Sequence, residues 1–193
     1  MKTVILFDTE FVMGPGPREL VRLGALKLDA ETLAVSNTLD VLVKPERVSE
    51  LPVSFIRLTG LTDQDLAAKG VSFSEAWTRF VAFVEGFPCY SHSQAQAGTS
   101  VLLGDGAVLR ENLMAHGMGA EFVKLEFHNL FPWFLNMYKK YGYIYSGNVS
   151  SGAITTFLGL PMPSGHEHQS LFDVYSILAG LRFFKEKGET LPF

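Results

Sequence analysis

The chain has 193 residues, of which 47% are apolar and 19% are charged, and its formal net charge is −4. This composition predicts a folded globular protein and argues against a broad cationic surface for nucleic acid or membranes. The single cysteine, Cys89, excludes an internal disulfide framework. No apolar run reaches the about 18 residues of a membrane span, and Val4–Phe7 is too short for a signal-peptide core. We therefore expect one cytoplasmic domain over residues 1–193, with no membrane contact.

The first part of the chain predicts three consecutive strands. Val4–Phe7 is a continuous apolar run, which is typical of a strand buried on both faces. Glu19–Leu28 and Val35–Val43 predict the second and third strands. In the third, Val35, Leu39, Val41 and Val43 share one parity. Pro45 ends the third strand.

Helices and short strands alternate through the rest of the chain. Ser72 and Glu75 have the spacing of a capping box, so a helix is expected to begin near Ser72. The remaining predicted elements are strands at Cys89–His92 and Leu125–Phe127, and helices at Gly106–His116, Pro132–Lys140, Ser151–Leu158 and from near Asp173 onward. This order predicts an α/β fold in which helices cover a mixed sheet.

Two carboxylates stand where the first buried strand ends. Asp8 and Glu10 are two residues apart, so a strand places both side chains on one face. Nearby carboxylates repel each other, and burial raises the cost of ionising either one. A bound divalent cation with a preference for hard oxygen ligands, such as Mg²⁺ or Mn²⁺, relieves both costs. The alternative is that the two residues merely begin a loop.

Further candidates lie near two predicted helix starts. Asp173 lies at the start of the last helix, and His168 precedes it on the connecting loop, with His166 as a competing histidine. A loop histidine with a near-neutral pKa is suited to accept a proton from water at a metal site. Asp105 is the only Asp between Asp65 and Asp173. It is the candidate for a central metal ligand, and the alternative is a helix N-cap.

These segments resemble the three exonuclease motifs of the DEDDh family, which comprises 3′–5′ exonucleases of the ribonuclease H-like superfamily such as ribonuclease T. The first is Phe-Asp-Thr-Glu-Phe at 7–11, the second is Asp105 before a middle helix, and the third is His168 five residues before Asp173. Further segments that resemble the family are Leu20–Ala25, Leu58–Thr62, Ser151–Gly152 and Leu158–Gly159. The middle motif departs from the family pattern, because residues 93–103 form an unusual stretch ahead of Asp105.

The resemblance implies a ribonuclease H-like fold, with a five-stranded sheet of three antiparallel and two parallel strands flanked by helices. It implies two divalent cations, Mg²⁺ or Mn²⁺, held by Asp8, Glu10, Asp105 and Asp173, with Asp8 bridging both and His168 acting as general base. The implied reaction releases nucleoside 5′-monophosphates from a free 3′ end of single-stranded DNA or RNA. Thr9 and Phe11 are then expected to contact the terminal nucleotide, and the alternative for both is packing beside the site.

Two other functions stay open at this point. One is hydrolysis of very short oligonucleotides or small nucleotide phosphodiesters, which the low positive charge favours. The other is a non-catalytic nucleic-acid or protein-interaction module that retains the fold. The aromatic-rich stretch at 131–145 fits core packing, a stacking wall for bases or the contact of a homodimer.

Overall fold

The computed structural model describes residues 2–14, 16–93, 104–145, 147, 149–165 and 167–193. Within these ranges the strands are β1 (Thr3–Val12), β2 (Glu19–Asp29), β3 (Val35–Leu42), β4 (Cys89–Ser91) and β5 (Phe127–Asn129). The α-helices are α1 (Val53–Thr59), α2 (Asp63–Lys69), α3 (Phe73–Val84), α4 (Asp105–Ala115), α5 (Phe131–Lys140), α6 (Ile154–Leu158) and α7 (Ser170–Glu186), and a 3₁₀ helix covers Gly119–Lys124. No helix in these ranges has both the length and the apolar character needed to cross a bilayer.

The five strands form one mixed sheet in the order β3-β2-β1-β4-β5. The pairs β1–β2 and β2–β3 are antiparallel, whereas β4 runs parallel to β1 and β5 runs parallel to β4. This topology confirms the predicted sheet of three antiparallel and two parallel strands. The apolar run Val4–Phe7 lies in the central strand, and all four of its residues are fully buried. Burial on both faces explains why this strand shows no alternation of polar and apolar residues.

Alternate residues of β1 enter two different cores, because successive strand side chains point to opposite faces. Val4 and Leu6 pack in a cluster that includes the apolar residues of α7 and α5. Ile5 and Phe7 pack in a second cluster with residues of α3 and α4. The sheet is therefore covered on both faces, and the end of β1 that carries Asp8 and Glu10 lies between α7 and α4.

The start of α7 lies directly on β2 at Gly24. A Cβ at this position would be 2.7 Å from the backbone nitrogen of Leu171 and 2.8 Å from Cβ of Ser170. Only a glycine allows this approach of helix to strand without displacing backbone. Because Asp8 pairs with Gly24 in the sheet, the approach places the first turn of α7 beside Asp8.

Most predicted elements are present, although several ends differ. The strand predicted at Leu125–Phe127 begins and ends two residues later, after the 3₁₀ helix. The helix predicted from Ser151 begins at Ile154, because the preceding residues form a turn in which the Ser150 hydroxyl accepts the Ala153 N–H at 3.2 Å. The last helix begins at Ser170, three residues before Asp173.

Two short helices, α1 and α2, were not among the predicted elements. Each has seven residues, which is too short to show a repeating apolar face. α2 begins with a capping box in which the Thr62 hydroxyl accepts the Asp65 N–H and the Asp65 carboxylate accepts the Thr62 N–H. This local signal lies directly after the Leu58–Thr62 segment that resembles the family, and it marks the start of the helix.

Candidate active site

β1 supplies two carboxylates to the face of the sheet that α7 covers. Asp8 pairs with Gly24 of β2, and Glu10 pairs with Arg22. A register shift follows between Glu10 and Phe11, so the regular ladder is interrupted directly after the second carboxylate. Asp8 is buried and Glu10 is partly buried. Both side chains share a face, as the two-residue spacing predicts.

The N-terminal turn of α7 supplies Asp173, which is buried. Its Oδ1 accepts the peptide N–H of His168 at 3.1 Å. His168 has a φ of 63°, in the left-handed region that histidine adopts more readily than branched residues do. One ligand atom of each of Glu10, His168 and Asp173 lies within 4.8 Å of the others. Glu10 and Asp173, which are far apart in the chain, therefore lie close enough to share one cation, and His168 lies beside them.

Ser151 contacts the two most deeply buried carboxylates of the cluster, those of Asp8 and Asp173. Its hydroxyl lies 3.0 Å from Oδ1 of Asp8 and 3.2 Å from Oδ2 of Asp173. The following residue is Gly152, where a Cβ would be 2.3 Å from Oδ1 of Asp173. The Ser-Gly pair that resembles the family thus has a physical purpose, because the serine holds two carboxylates and the glycine leaves room for one of them.

Asp105 is the first residue of α4 and approaches the cluster from the other side of the sheet. Its Oδ1 accepts the Thr9 N–H at 3.0 Å and the Thr9 hydroxyl at 2.8 Å. Its Oδ2 accepts the Ser93 hydroxyl at 2.8 Å. Gly104 occupies the N-cap position, so the alternative of Asp105 as the N-cap is wrong. The contact gives Thr9 a role in holding Asp105, and its predicted contact with substrate stays a prediction.

All five predicted catalytic residues line one cavity of about 500 Å³. Its described lining includes Asp8, Glu10, Asp105, His168 and Asp173, together with both residues predicted to bind substrate, Thr9 and Phe11. The single geometric expectation behind the sequence analysis, that separated acidic residues converge, therefore agrees with the structure. His166 and residues 94–103 lie outside the described residues, so the competing histidine and most of the unusual middle stretch have no structural description.

The carboxylates raise one another's pKa values in this cavity. Burial, and then the charges of Asp173 and Asp105, raise the pKa of Glu10 to about 9. Burial also raises the pKa of Asp173 to about 7, against the lowering effect of the His168 N–H. For Asp8, burial followed by the charges of Asp105, Asp173 and Glu10 raises the pKa well above its usual value. The cluster therefore favours protons on its carboxyl groups, or cations in their place.

The donor set fits a hard divalent cation. Carboxylate oxygens are the ligands that Mg²⁺ and Mn²⁺ prefer, and the carboxylates of Glu10 and Asp173 approach each other together with an imidazole nitrogen. The carboxylate of Asp8 lies next to that of Asp173, because the hydroxyl of Ser151 contacts both. A cation among these groups would remove the mutual repulsion that raises their pKa values.

Comparison with known proteins shows the family and the fold. The RNase T family model, described as Exonuclease, matches residues 5–101, half of the chain. Cell-death related nuclease 4 (CRN-4) superposes with a TM-score of 0.75 at 17% identity, over 97% of this chain and 65% of that one. E. coli Exonuclease I in complex with a dT13 oligonucleotide superposes with a TM-score of 0.74 at 16% identity, over 96% of this chain and 41% of that one. The nuclease domain of 3′hExo, a DEDDh family member bound to rAMP, superposes with a TM-score of 0.63 at 16% identity, over 97% of this chain and 93% of that one.

The sheet order and the acidic cavity define a nuclease of the ribonuclease H-like class. The chain belongs to the RNase T family of exonucleases, which confirms the resemblance to the DEDDh family. Nuclease action on nucleic acids is the function of this class. The chain spans less than two thirds of CRN-4 and of Exonuclease I. A comparison with curated proteins found no match.

The sequence analysis missed the side chains that hold the carboxylates. Ser151 was noted only for its resemblance to the family, and Ser93 only as part of the unusual stretch before Asp105. Their contacts join residues up to 143 positions apart in the chain, so no local pattern reports them. The Ser-Gly pair at 151–152 was the one signal in the sequence that pointed to such a contact.

Proposed function

We propose that this chain is a metal-dependent 3′–5′ exonuclease that hydrolyses phosphodiester bonds of single-stranded DNA or RNA and releases nucleoside 5′-monophosphates. The observation that carries the proposal is the convergence of Asp8, Glu10, Asp105, His168 and Asp173 in one cavity of a chain from an exonuclease family. Proteins with the same fold support the choice of substrate. One holds a dT13 oligonucleotide, and another is a 3′-exonuclease that recognises the 3′ end of a histone mRNA stem-loop.

Two divalent cations, Mg²⁺ or Mn²⁺, would be held by the carboxylates of Asp8, Glu10, Asp105 and Asp173, with Asp8 shared between them. When bound, such cations neutralise the charge that develops on the attacking and leaving oxygens of the phosphodiester. The raised pKa values of Glu10 and Asp173 support this assignment, because the protein alone supplies too little positive charge to balance the cluster.

The chain's own groups position the ligands and move the proton. An imidazole nitrogen of His168 accepts the proton of the attacking water, the general-base role that histidine fills most often in enzymes. The bond from the His168 N–H to Asp173 fixes the turn that carries this imidazole. Ser151 keeps Asp8 and Asp173 in place, and Thr9 keeps Asp105 in place. These hydrogen bonds reduce the motion that catalysis would otherwise have to restrict.

The cavity also has an apolar wall suited to a nucleobase. Phe11, Phe55 and Leu58 line it beside the acidic cluster. Leu58 is 53% exposed, and together with Phe11 and Phe55 it also lines an adjoining cavity, so the three side chains form one accessible apolar patch. The ring of Phe11 would stack on the base of the terminal nucleotide while the acidic cluster holds its phosphate.

Single-stranded oligonucleotides labelled at the 5′ or the 3′ end test the proposal, incubated with Mg²⁺, Mn²⁺ or EDTA. We expect a ladder that shortens from the 3′ end of the 5′-labelled strand, and immediate release of a labelled mononucleotide from the 3′-labelled strand. EDTA should stop both. Asp8→Asn should reduce the reaction to background. Asp29→Asn, which lies at the last residue of β2 and outside the described lining of the cavity, should retain it.

Other outcomes would contradict the proposal in different ways. Cleavage confined to oligomers of two to five nucleotides would indicate a phosphodiesterase for short oligonucleotides. Absence of cleavage with either metal would indicate a non-catalytic module that retains the fold. A ladder that shortens from the 5′ end would refute the direction.

A further inference from the structure

Arg18 is the only lysine or arginine among the described residues that line the acidic cavity. It lies in the loop that joins β1 to β2, and its side chain is 22% exposed. A cation in this place stands out, because the chain has a net negative charge and the cavity contains four carboxylates. Its surroundings show whether the guanidinium is merely solvated or is held in a fixed position.

Glu111 of α4 accepts three hydrogen bonds from Arg18. Its Oε2 accepts the Arg18 peptide N–H at 3.1 Å and the Nε–H at 3.0 Å, and its Oε1 accepts from Nη2 at 2.6 Å. The neighbouring Asn112 fixes the backbone on both sides of this contact, because it donates to the Arg18 carbonyl at 2.9 Å and accepts the Leu20 N–H at 3.2 Å. A guanidinium held in this bidentate manner loses little further freedom when it binds a ligand.

The other side of the guanidinium is available to a ligand. The carbon Cζ of Arg18 lies 5.2 Å from the centre of the Phe11 ring, so the arginine covers one face of the ring predicted to meet substrate. Glu111 engages Nε and Nη2, and Nη1 has no hydrogen-bond acceptor among the described residues. Both N–H groups of Nη1 and the second one of Nη2, three in all, therefore remain beside the cavity on a fixed cation, in a geometry suited to phosphate oxygens.

The place of Arg18 relative to the carboxylates decides which phosphate it can meet. Glu10, His168 and Asp173 meet on the face that α7 covers. Arg18 is held on the opposite side by α4, with the Phe11 ring against it. The scissile phosphate is expected at the carboxylates on the α7 face, so a guanidinium on the α4 side, beside the Phe11 ring and near Asp105, is placed to meet the next part of the strand.

We propose that Arg18 binds a non-bridging oxygen of the phosphodiester that lies next to the scissile one on its 5′ side. This inference rests on the proposed exonuclease function and deepens it, because it names a feature that the substrate must have. A strand with a second phosphodiester is then preferred over a small nucleotide ester that has only the scissile one.

Two substrates in Mn²⁺ test the inference, namely an oligothymidylate and the p-nitrophenyl ester of thymidine 5′-monophosphate, which has a single phosphodiester. Arg18→Gln should lower kcat/KM for the oligonucleotide by about tenfold or more relative to its effect on the ester, as expected for loss of a charge-assisted hydrogen bond. Glu111→Gln keeps the arginine but removes the charge of its hydrogen-bond partner. It should shift the ratio of kcat/KM for the two substrates in the same direction by a smaller factor. Arg79→Gln, the matched loss of an arginine paired with a glutamate on α3 outside this cavity, should not change the ratio.

A charge-neutral methylphosphonate at the linkage next to the scissile bond gives an independent measurement. The wild-type protein should lose about as much kcat/KM on this substrate as Arg18→Gln loses on the normal one, and the variant should be insensitive to the replacement. Equal losses on both substrates, or a variant as sensitive as wild type to the methylphosphonate, would overturn the inference while leaving the exonuclease function intact. If wild-type protein cleaves neither substrate, the proposed function itself fails.

Discussion

The hydroxyl of Ser151 lies between the carboxylates of Asp8 and Asp173, 3.0 Å from one and 3.2 Å from the other. These residues come from β1 and α7, so one serine joins the central strand to the last helix at the site. A hydroxyl has a single proton to donate, and it can satisfy only one of the two carboxylates at a time. The remaining negative charge must be balanced by a proton or a cation.

Replacing Ser151 should lower the affinity for metal more than it lowers the stability of the fold. Ser151→Ala removes the partner of two metal-ligand candidates, and we expect a loss of about 10- to 100-fold in activity or metal affinity, as is typical for residues that orient ligands. Activity measured against Mn²⁺ concentration should show a higher half-saturating concentration. Ser74→Ala, on the exposed surface of α3, is the matched control. An unchanged Mn²⁺ profile in Ser151→Ala would contradict the role given to Ser151.

His168 should be required for turnover but not for metal binding. His168→Ala should lower kcat by about 10²- to 10⁴-fold, the range for loss of a general base, while Mn²⁺ still raises the melting temperature. Because the residue has a φ of 63°, His168→Asn is the better variant, since asparagine tolerates this backbone. His166→Ala is the comparison. Full activity in both His168 variants together with loss in His166→Ala would show that the wrong histidine was chosen.

The metal-free protein should become less stable as the pH rises through the neutral range. The pKa of Glu10 is raised from 4.5 to about 9, and that of Asp173 from 3.8 to about 7. The folded state therefore holds protons that the unfolded state has already released, so these two groups lower the free energy of unfolding between about pH 4 and about pH 9. Above their raised pKa values the loss is complete.

Melting temperatures in EDTA and in Mn²⁺ measure this effect. We expect the increase caused by Mn²⁺ to grow from about pH 6 to about pH 9, because the cation replaces protons that the cluster is losing. Glu10→Gln isolates one group, and in EDTA it should gain stability over wild type as the pH rises. A constant difference between Glu10→Gln and wild type across this range would show that Glu10 ionises normally in the folded protein.

The approach of α7 to β2 should be intolerant of a single methyl group. Gly24→Ala would place a Cβ 2.7 Å from the backbone of Leu171, and we expect destabilisation of about 1–3 kcal/mol, as for other overpacked sites. Gly106→Ala in α4 is the matched control, because no atom of the described residues outside the helix backbone lies within 4 Å of its added Cβ and alanine favours a helix. Urea unfolding of both variants measures the difference. Equal stability of Gly24→Ala and wild type would mean that helix and strand separate readily here.

Residue patterns alone predicted a mixed sheet covered by helices, and the resemblance to the family supplied its strand topology. The two-residue period of a strand placed Asp8 and Glu10 on one face and the helix pattern placed Asp173 near a helix start, but their assignment to one acidic site came from the resemblance. Asp105 came from elimination and from a motif that departs from its family. The hydrogen bonds that hold it, from Thr9 and Ser93, depend on how α4 packs against β1. Such packing is a tertiary property with no periodic signature.

The hydrogen bonds that hold Arg18 were missed for the same reason, whereas α1 and α2 were missed because seven residues are too short to show a repeating apolar face. The partner of Glu111 lies 93 positions away in the loop before β2, and those of Asn112 lie 92 and 94 positions away in β2 and in that loop. A sequence pattern reports which face of an element is apolar. It does not report which loop a polar side chain on that element will meet.

The helix α4 has a consequence for how the site keeps its dimensions. It begins with Asp105 and reaches Arg18 through Glu111, six residues later. At 1.5 Å per residue this separation is about 9 Å along the helix axis. A metal-ligand candidate and the residue that binds Arg18 are thus parts of one helix, and the regular geometry of that helix fixes the spacing between them. Thermal motion of the helix would move both groups together and leave this spacing unchanged.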